Sequence, residues 1–304
     1  MQRYCCINGA VLQRLHWAAR RGKLGLVKRP IVFLSDFGFR NEWVGICHTV
    51  LARAAPESRV VDLSHGVPPL DVRAGALLLV DSRRFLPEDA VVFAVVDPSV
   101  GADRDLAVET ASGRLLVGPD NGLFTFLWKA DGGVRRVHEI TLERIVMQPV
   151  APAFHARDVF APAAAFLALG GSLEELGSEL DPAGLAELLF PSATVERGKI
   201  ECEVLDLNGF GNVLLNVTSS DFEAAGFDGA TEVAIDATSG GAYARRVSTY
   251  ADVAAGDWGL IVDPRGWLAV IRGNPANAAE GLGGVQPGDP IWLTLPREAA
   301  RTAA

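Results

Sequence analysis

The chain has 304 residues, a formal net charge of −9 and hydrophobic residues at 49%. Such a length suits two ordinary domains, because single cores stop growing near roughly 250 to 300 residues. The acidic balance argues against a nucleic-acid or anionic-membrane partner, and no apolar run reaches the ~18 residues that a spanning helix needs.

The first 29 residues stand apart, since every charged residue before Pro30 is basic: Arg3, Arg14, Arg20, Arg21, Lys23, Lys28 and Arg29. Neither the serine richness of a transit peptide nor the apolar stretch of a secretory signal is present, so residues 1–29 read as a basic extension. Cys5, Cys6, Cys47 and Cys202 form neither a paired zinc spacing nor a dense disulfide framework, which fits a reducing cytoplasm.

From Pro30 to Ser35 an apolar run of strand type ends in the turn Asp36-Phe37-Gly38. Trp43, Cys47, Val50, Leu51 and Ala54 then recur at helical spacing, and Pro56 closes that segment. Arg59 to Leu63 is a second strand, Asp71 to Phe85 a second helix with Asp71 at its N-terminus, and Ala90 to Val96 a third strand. Strands apolar on both faces, alternating with helices, predict an α/β domain over residues 30–190 built on a mainly parallel sheet. Ligands of such sheets sit at the carboxyl ends of strands. Asp158 to Leu169 is an alanine-rich helix stopped by Gly170-Gly171. Beyond Leu189, short alternating runs such as Ile200 to Leu205, Val213 to Val217 and Trp267 to Ile271 predict an antiparallel β domain over residues 191–304.

Several loops carry polar residues that suit chemistry. Asp36 follows a buried strand and precedes a glycine, so its carboxylate either accepts the two hydroxyls of a ribose or caps the next helix. The loop Val95 to Arg104 holds Asp97 and Arg104 within reach of one another, and their pairing is expected to lower the pKa of the acid. His155 opens the alanine-rich helix, where the dipole disfavours an imidazolium. In the second domain, Asp206 to Asn212 and Asp263 to Trp267 place polar side chains on turns, and Arg265 suits a bidentate carboxylate contact. No His, Asp or Glu set shows metal-ligand spacing, so no metal is expected.

Taken in order, Ser35-Asp36-Phe37-Gly38, Val96-Asp97-Pro98-Ser99-Val100-Gly101, Pro119-Asp120-Asn121-Gly122-Leu123, Phe154-His155-Ala156-Arg157-Asp158 and Gly209-Phe210-Gly211-Asn212 resemble the S-adenosylmethionine (SAM) hydroxide adenosyltransferases, relatives of fluorinase and chlorinase. The resemblance implies an N-terminal α/β domain, a C-terminal antiparallel β-barrel and a homotrimer with active sites between subunits. It also implies hydrolysis of SAM to adenosine and L-methionine, with no cofactor. By the same resemblance, Asp97, Arg104 and His155 form the hydrolytic triad, and Asp36 holds the ribose hydroxyls. Asn212 faces adenine, Arg265 and Arg272 line the pocket, and Asp206 is the candidate partner for the substrate amine. Ser99 and Ala156 stand where glycines are common in the family, and their Cβ atoms are expected to narrow the site or change a loop angle.

Loss of a neutral thioether from a sulfonium needs no general acid, so the expected work is to orient water and accept its proton as it attacks ribose C5′. Two alternatives stand beside hydrolysis: halide-dependent adenosyl transfer, and a binding protein that senses SAM or adenosine without turnover. A carboxylate at Asp97 would repel a halide, and the stretch Val108 to Leu116 is short where halogenating relatives carry a long insertion.

Overall fold

The computed structural model describes residues 28–141, 143 and 145–296, so the basic extension lies outside the described residues apart from Lys28 and Arg29. The chain divides between Leu188 and Leu189 into two compact units.

The first unit is built on strands β1 (Ile31–Ser35), β2 (Val60–Ser64), β3 (Val91–Val95), β4 (Asp105–Thr110), β5 (Leu115–Pro119) and β6 (Val134–Glu139). Their order in the sheet is β2-β1-β3-β5-β4-β6. Neighbours β2, β1, β3 and β5 are parallel, whereas β4 runs antiparallel to both β5 and β6. The sheet is therefore mixed, with β4 as the reversed strand.

β1 and β3 are buried throughout, and the strand period of two sends alternate residues into separate apolar layers. Ile31, Phe33, Val91 and Phe93 join one layer, while Val32, Leu34, Val92 and Ala94 join the other. The rings of Phe33 and Phe93 stack at 4.2 Å between centroids across these neighbouring strands. Helix α1 (Trp43–Ala54) covers the first layer with Val44, Cys47, Val50, Leu51 and Ala54, which share one face at intervals of three and four. Helix α2 (Val72–Ser82) lies over the other layer, and the Asp71 carboxylate caps it by accepting a 2.9 Å bond from Ala74 N–H. A Cβ at Gly75 would meet Leu123 Cδ1 at 2.8 Å and Val96 Cγ2 at 3.0 Å, so glycine sets how closely α2 approaches the sheet.

Between β5 and β6 runs the short helix α3 (Thr125–Ala130), and α4 (Ala161–Ala168) is buried along its whole length. The small side chains of α4 let it pack closely against α1 and the sheet. β4 and β5 are joined by a tight hairpin, in which Thr110 N–H donates to Arg114 C=O at 2.9 Å and Gly113 adopts φ +91°. This hairpin accounts for the short stretch from Val108 to Leu116.

The second unit is a barrel closed by seven strands. In chain order these are β8 (Lys199–Leu207), β9 (Val213–Thr218), β10 (Val233–Ala237), β11 (Gly240–Arg246), β12 (Trp258–Val262), β13 (Trp267–Arg272) and β14 (Pro290–Thr294), preceded by β7 (Thr194–Glu196). β7 pairs only with β8, and the β14–β8 pairing closes the ring. All pairings are antiparallel except β11 with β12, so the expected antiparallel barrel contains one parallel step. Two short helices, α5 (Ser219–Ala224) and α6 (Ala278–Gly281), pack on the barrel.

Phe93 is fully buried, so Phe93→Ala is expected to lower the unfolding free energy of the first unit by about 3–5 kcal/mol through lost transfer energy and the cavity left behind. Denaturant unfolding followed by circular dichroism checks this.

Candidate active site

The carboxyl ends of β1 and β3 deliver the first two candidates. β1 is followed directly by Asp36 and Phe37, and β3 leads through Val96 to Asp97. Together with His155 they line a cavity of about 560 Å³, whose wall also includes Leu70, Val100 and Phe154. Three residues expected at one pocket are thus brought together.

Asp36 accepts a 2.8 Å hydrogen bond at Oδ2 from the backbone N–H of Leu70. Leu70 is the one non-glycine residue with positive φ, at 66°, among the described residues. The carboxylate holds this left-handed residue at the cavity wall, where its side chain stays exposed.

Asp97 accepts a 3.1 Å bond at Oδ1 from Ser99 N–H. Burial pushes its carboxyl up to about 6; the Ser99 bond and the His155 ring oppose that rise, and Asp103 and Asp105 add to it. The sequence led to the opposite expectation, a pKa lowered by Arg104. Arg104 instead donates to Asp120, with Nε at 2.9 Å from Oδ2, and to the Gly184 carbonyl at 2.6 Å. The reason lies in the sheet: Asp120 N–H bonds to Arg104 C=O where β5 and the reversed β4 run side by side, so the arginine meets the acid across the strands. Arg104 is not among the residues lining the cavity.

The charged partner of His155 is Asp105, the first residue of β4. Its Oδ1 lies 3.0 Å from His155 Nδ1, with both side chains largely buried. Burial raises the Asp105 carboxyl, and the His155 hydrogen bond and charge pull it back down. An Asp105 carboxylate accepting Nδ1–H fixes the orientation of the ring.

The segment carrying His155 has a local cause. Residues Ala156–Phe160 form a π-helical turn that runs into α4, and Pro162 stands at the start of α4 without an N–H. The Asp158 carbonyl, four residues before that proline, takes Met147 N–H at 2.7 Å instead. The buried Asp158 carboxylate accepts Ala151 N–H at 2.8 Å and the Arg157 guanidinium at 2.6 and 2.8 Å. Asp158 therefore ties the whole 147–158 loop to the base of His155.

Of the two positions where glycines are common in the family, Ala156 is buried on the cavity wall. Ser99 is exposed and off the wall, has no positive φ, and contributes its N–H to Asp97.

In the second unit, Asp206 follows a register shift in β8, where β8 leaves its regular pairing with β9. Its Oδ2 lies 3.5 Å from Arg265 Nη1. Arg265 is held more firmly by Asp263, whose Oδ2 takes Nε at 2.6 Å and whose Oδ1 takes the Arg265 N–H at 2.8 Å. Arg272 donates from Nε to the Gly256 carbonyl at 3.1 Å and lies over the Trp258 ring at 4.9 Å. Asn212 is half-buried, and its N–H donates to Asn208 Oδ1 at 3.1 Å. Asp206 and Arg265 thus meet one another.

Sequence reasoning did not single out Asp105, Asp158 or Asp263 as partners. Asp158 and Asp263 lie inside motifs already noted, and Asp105 directly follows Arg104.

Models of the SAM hydroxide adenosyltransferase N-terminal and C-terminal domains match residues 31–177 and 202–292. The chain belongs to the SAM hydroxide adenosyltransferase family. Within this family it is 41% identical over 264 residues to an (R)-S-adenosyl-L-methionine hydrolase of Salinispora tropica, spanning 87% of this chain and 97% of that one. A Thermus thermophilus protein of the same name is 46% identical over 193 residues, covering 61% of this chain and 73% of that protein. A fluorinase of an Actinoplanes species is more distant, at 28% identity over 269 residues, 80% of this chain and 90% of that one. A crystal structure of an uncharacterized conserved protein from Thermotoga maritima superposes with TM-score 0.80 at 29% identity, covering 87% of this chain and 99% of that chain.

An Asp97 pKa raised from 3.8 to about 6 means that the folded state carries the ionised carboxylate at a cost, so the stability this group contributes is present at low pH and lost as pH rises through about 6. Asp97→Asn is expected to raise the thermal midpoint near about pH 8 and to leave it unchanged below about pH 3.5. Paired calorimetric scans at the two pH values check the sign.

Proposed function

We propose that this protein hydrolyses SAM to adenosine and L-methionine. The observation that carries the reading is a half-buried Asp97, with its carboxyl raised to about 6, on one cavity wall with Asp36 and His155. Membership of the SAM hydroxide adenosyltransferases and 41% identity to a named SAM hydrolase support it.

In this reading water attacks ribose C5′ in line with sulfur, the C–S bond breaks, and methionine leaves as a neutral thioether. The proton of the attacking water passes to the ionised Asp97, whose pKa lies near working pH, where a general base is effective. His155, oriented by Asp105, shares the cavity wall with Asp97, and a positive charge on its ring steadies the Asp97 carboxylate. Asp36 takes ribose hydroxyls, and Phe37, Leu70 and Val100 offer apolar surface around the nucleoside. No cofactor is needed, because the sulfonium supplies its own leaving group. Arg104 enters as an anchor for Asp120 and the 184 carbonyl, not as the ion partner of Asp97.

On the second unit, Asp206, Asn212, Arg265 and Arg272 remain the candidates for contacts to methionine and adenine. The expected homotrimer and a cytoplasmic location belong to the same proposal and rest on the family resemblance; among the described residues no helix is long and apolar enough to cross a membrane. Halide-dependent transfer is disfavoured by the negative charge at Asp97 and by the tight hairpin between β4 and β5.

Incubating the purified protein with SAM in ¹⁸O-labelled water is expected to yield adenosine labelled at the 5′ oxygen, with methionine in equal amount. Stoichiometric SAM binding without adenosine would instead mark a sensor, and a 5′-halogenated nucleoside formed only with added halide would mark the other chemistry. kcat/KM is expected to rise with pH through about 6 as Asp97 ionises in the free enzyme. Asp97→Ala should lower kcat by about 10²–10⁴-fold with little change in SAM affinity, read by chromatography and calorimetry. An unchanged rate refutes the assignment of Asp97.

A further inference from the structure

Apart from the cavity, three segments converge on a second cluster of ligand atoms. His48 comes from α1, Asp62 from β2 and His65 from the residue after β2, and one ligand atom from each lies within 4.8 Å of the others. None of the three lines the cavity. The sequence led to an expectation of no metal, whereas the fold brings these three side chains together, with a register irregularity between β1 and β2 at Phe33 and Leu34 that pairs Leu34 with Ser64.

Asp62 Oδ1 is the centre of the group, at 2.7 Å from His48 Nε2 and 3.1 Å from His65 Nε2. The His65 side chain is fully buried, and its Nε2 faces the Asp62 carboxylate at hydrogen-bond distance. The other ring nitrogen is engaged, since His65 Nδ1 lies 2.7 Å from Ser35 Oγ. Ser35 Oγ also accepts Phe37 N–H at 3.3 Å, so the serine braces the ring from behind while Nε2 points at Asp62, the kind of outer support that orients metal-ligating histidines.

We propose that His48, Asp62 and His65 form a binding site for a divalent transition-metal ion, with two imidazole nitrogens and one carboxylate oxygen as ligands and water completing the coordination. Imidazole suits zinc, cobalt and nickel better than calcium or magnesium. A tetrahedral ion with bonds of about 2.1 Å holds its ligand atoms roughly 3.4 Å apart, so the present separations need only small side-chain shifts. Those shifts fall on His48 and Asp62, whose side chains are 34% and 38% exposed and free to open toward solvent. Binding replaces the hydrogen bonds of His48 and His65 to Asp62 with three metal bonds, and the proton on each Nε2 moves to the other ring nitrogen or leaves to solvent.

An ion here would tie α1 and β2 to the end of β1. The His65 carbonyl already accepts Gly38 N–H at 2.7 Å, so His65 brackets the Ser35–Gly38 segment that carries Asp36. The role that follows is structural support of this wall of the cavity from behind.

The test titrates Co²⁺ and, separately, Zn²⁺ into the full-length chelator-treated protein, using visible absorption for cobalt and calorimetry for zinc. One tight equivalent per chain is expected, with cobalt bands of nitrogen and oxygen ligation. His48→Gln, which can still donate to Asp62, and Asp62→Asn are each expected to weaken binding by at least about tenfold, and Ser35→Ala by about 10–100-fold through the lost support of His65. Circular dichroism of each variant verifies folding. Because Cys5, Cys6 and His16 also offer ligand atoms in the sequence, undiminished binding in both ligand variants assigns the ion elsewhere and overturns the proposal. Absence of an equivalent in the wild type overturns it as well.

Discussion

β1 and β3 lie side by side at the centre of the sheet, buried on both faces, and this double burial governs the rest of the first unit. A strand enclosed in that way carries no charged side chain along its length, because an unpaired charge in the apolar layers costs several kcal/mol. Polar chemistry is displaced to the point where each strand stops. Both strands run in the same direction, so Asp36 and Asp97 emerge at the same end of the sheet. The cavity forms there because the core excludes these groups everywhere else.

The second determinant is electrostatic. Asp97 lies near two further acids, Asp103 and Asp105, while the nearby arginine is committed to Asp120. His155 is a cationic influence on Asp97, and that ring is shared with Asp105. Negative charge is thus concentrated around a partly dehydrated carboxyl, which makes Asp97 a proton acceptor near neutral pH rather than a passive ion-pair member. A sulfonium substrate brings its own positive charge into this surplus of acids.

Much of this was legible in the chain. The β1–α1–β2–α2–β3 succession could be read because double-sided burial writes continuous apolar runs and the helices between them keep a clear period. β4 and β6 escaped notice because Asp105, Glu109, Arg135 and Arg136 interrupt their apolar pattern near the sheet edge, and α3 is only six residues long. Asp97, Asp36 and His155 were found because each lies in a loop flanking a regular element. The pairing of Asp97 with Arg104 was misread because closeness along a loop says little once the next strand reverses direction. Likewise, His48, Asp62 and His65 come from two elements and a turn, and only strand register brings them together.

Asp36 is a latch as well as part of the cavity wall. One of its oxygens keeps Leu70 in a backbone shape that a residue with a Cβ adopts only when something holds it there. Stripping off that carboxylate would therefore release the Leu70 segment at the same moment as it removes a polar contact for a guest molecule. The contour of the cavity and its chemistry share a single side chain, and neither can be altered there without the other.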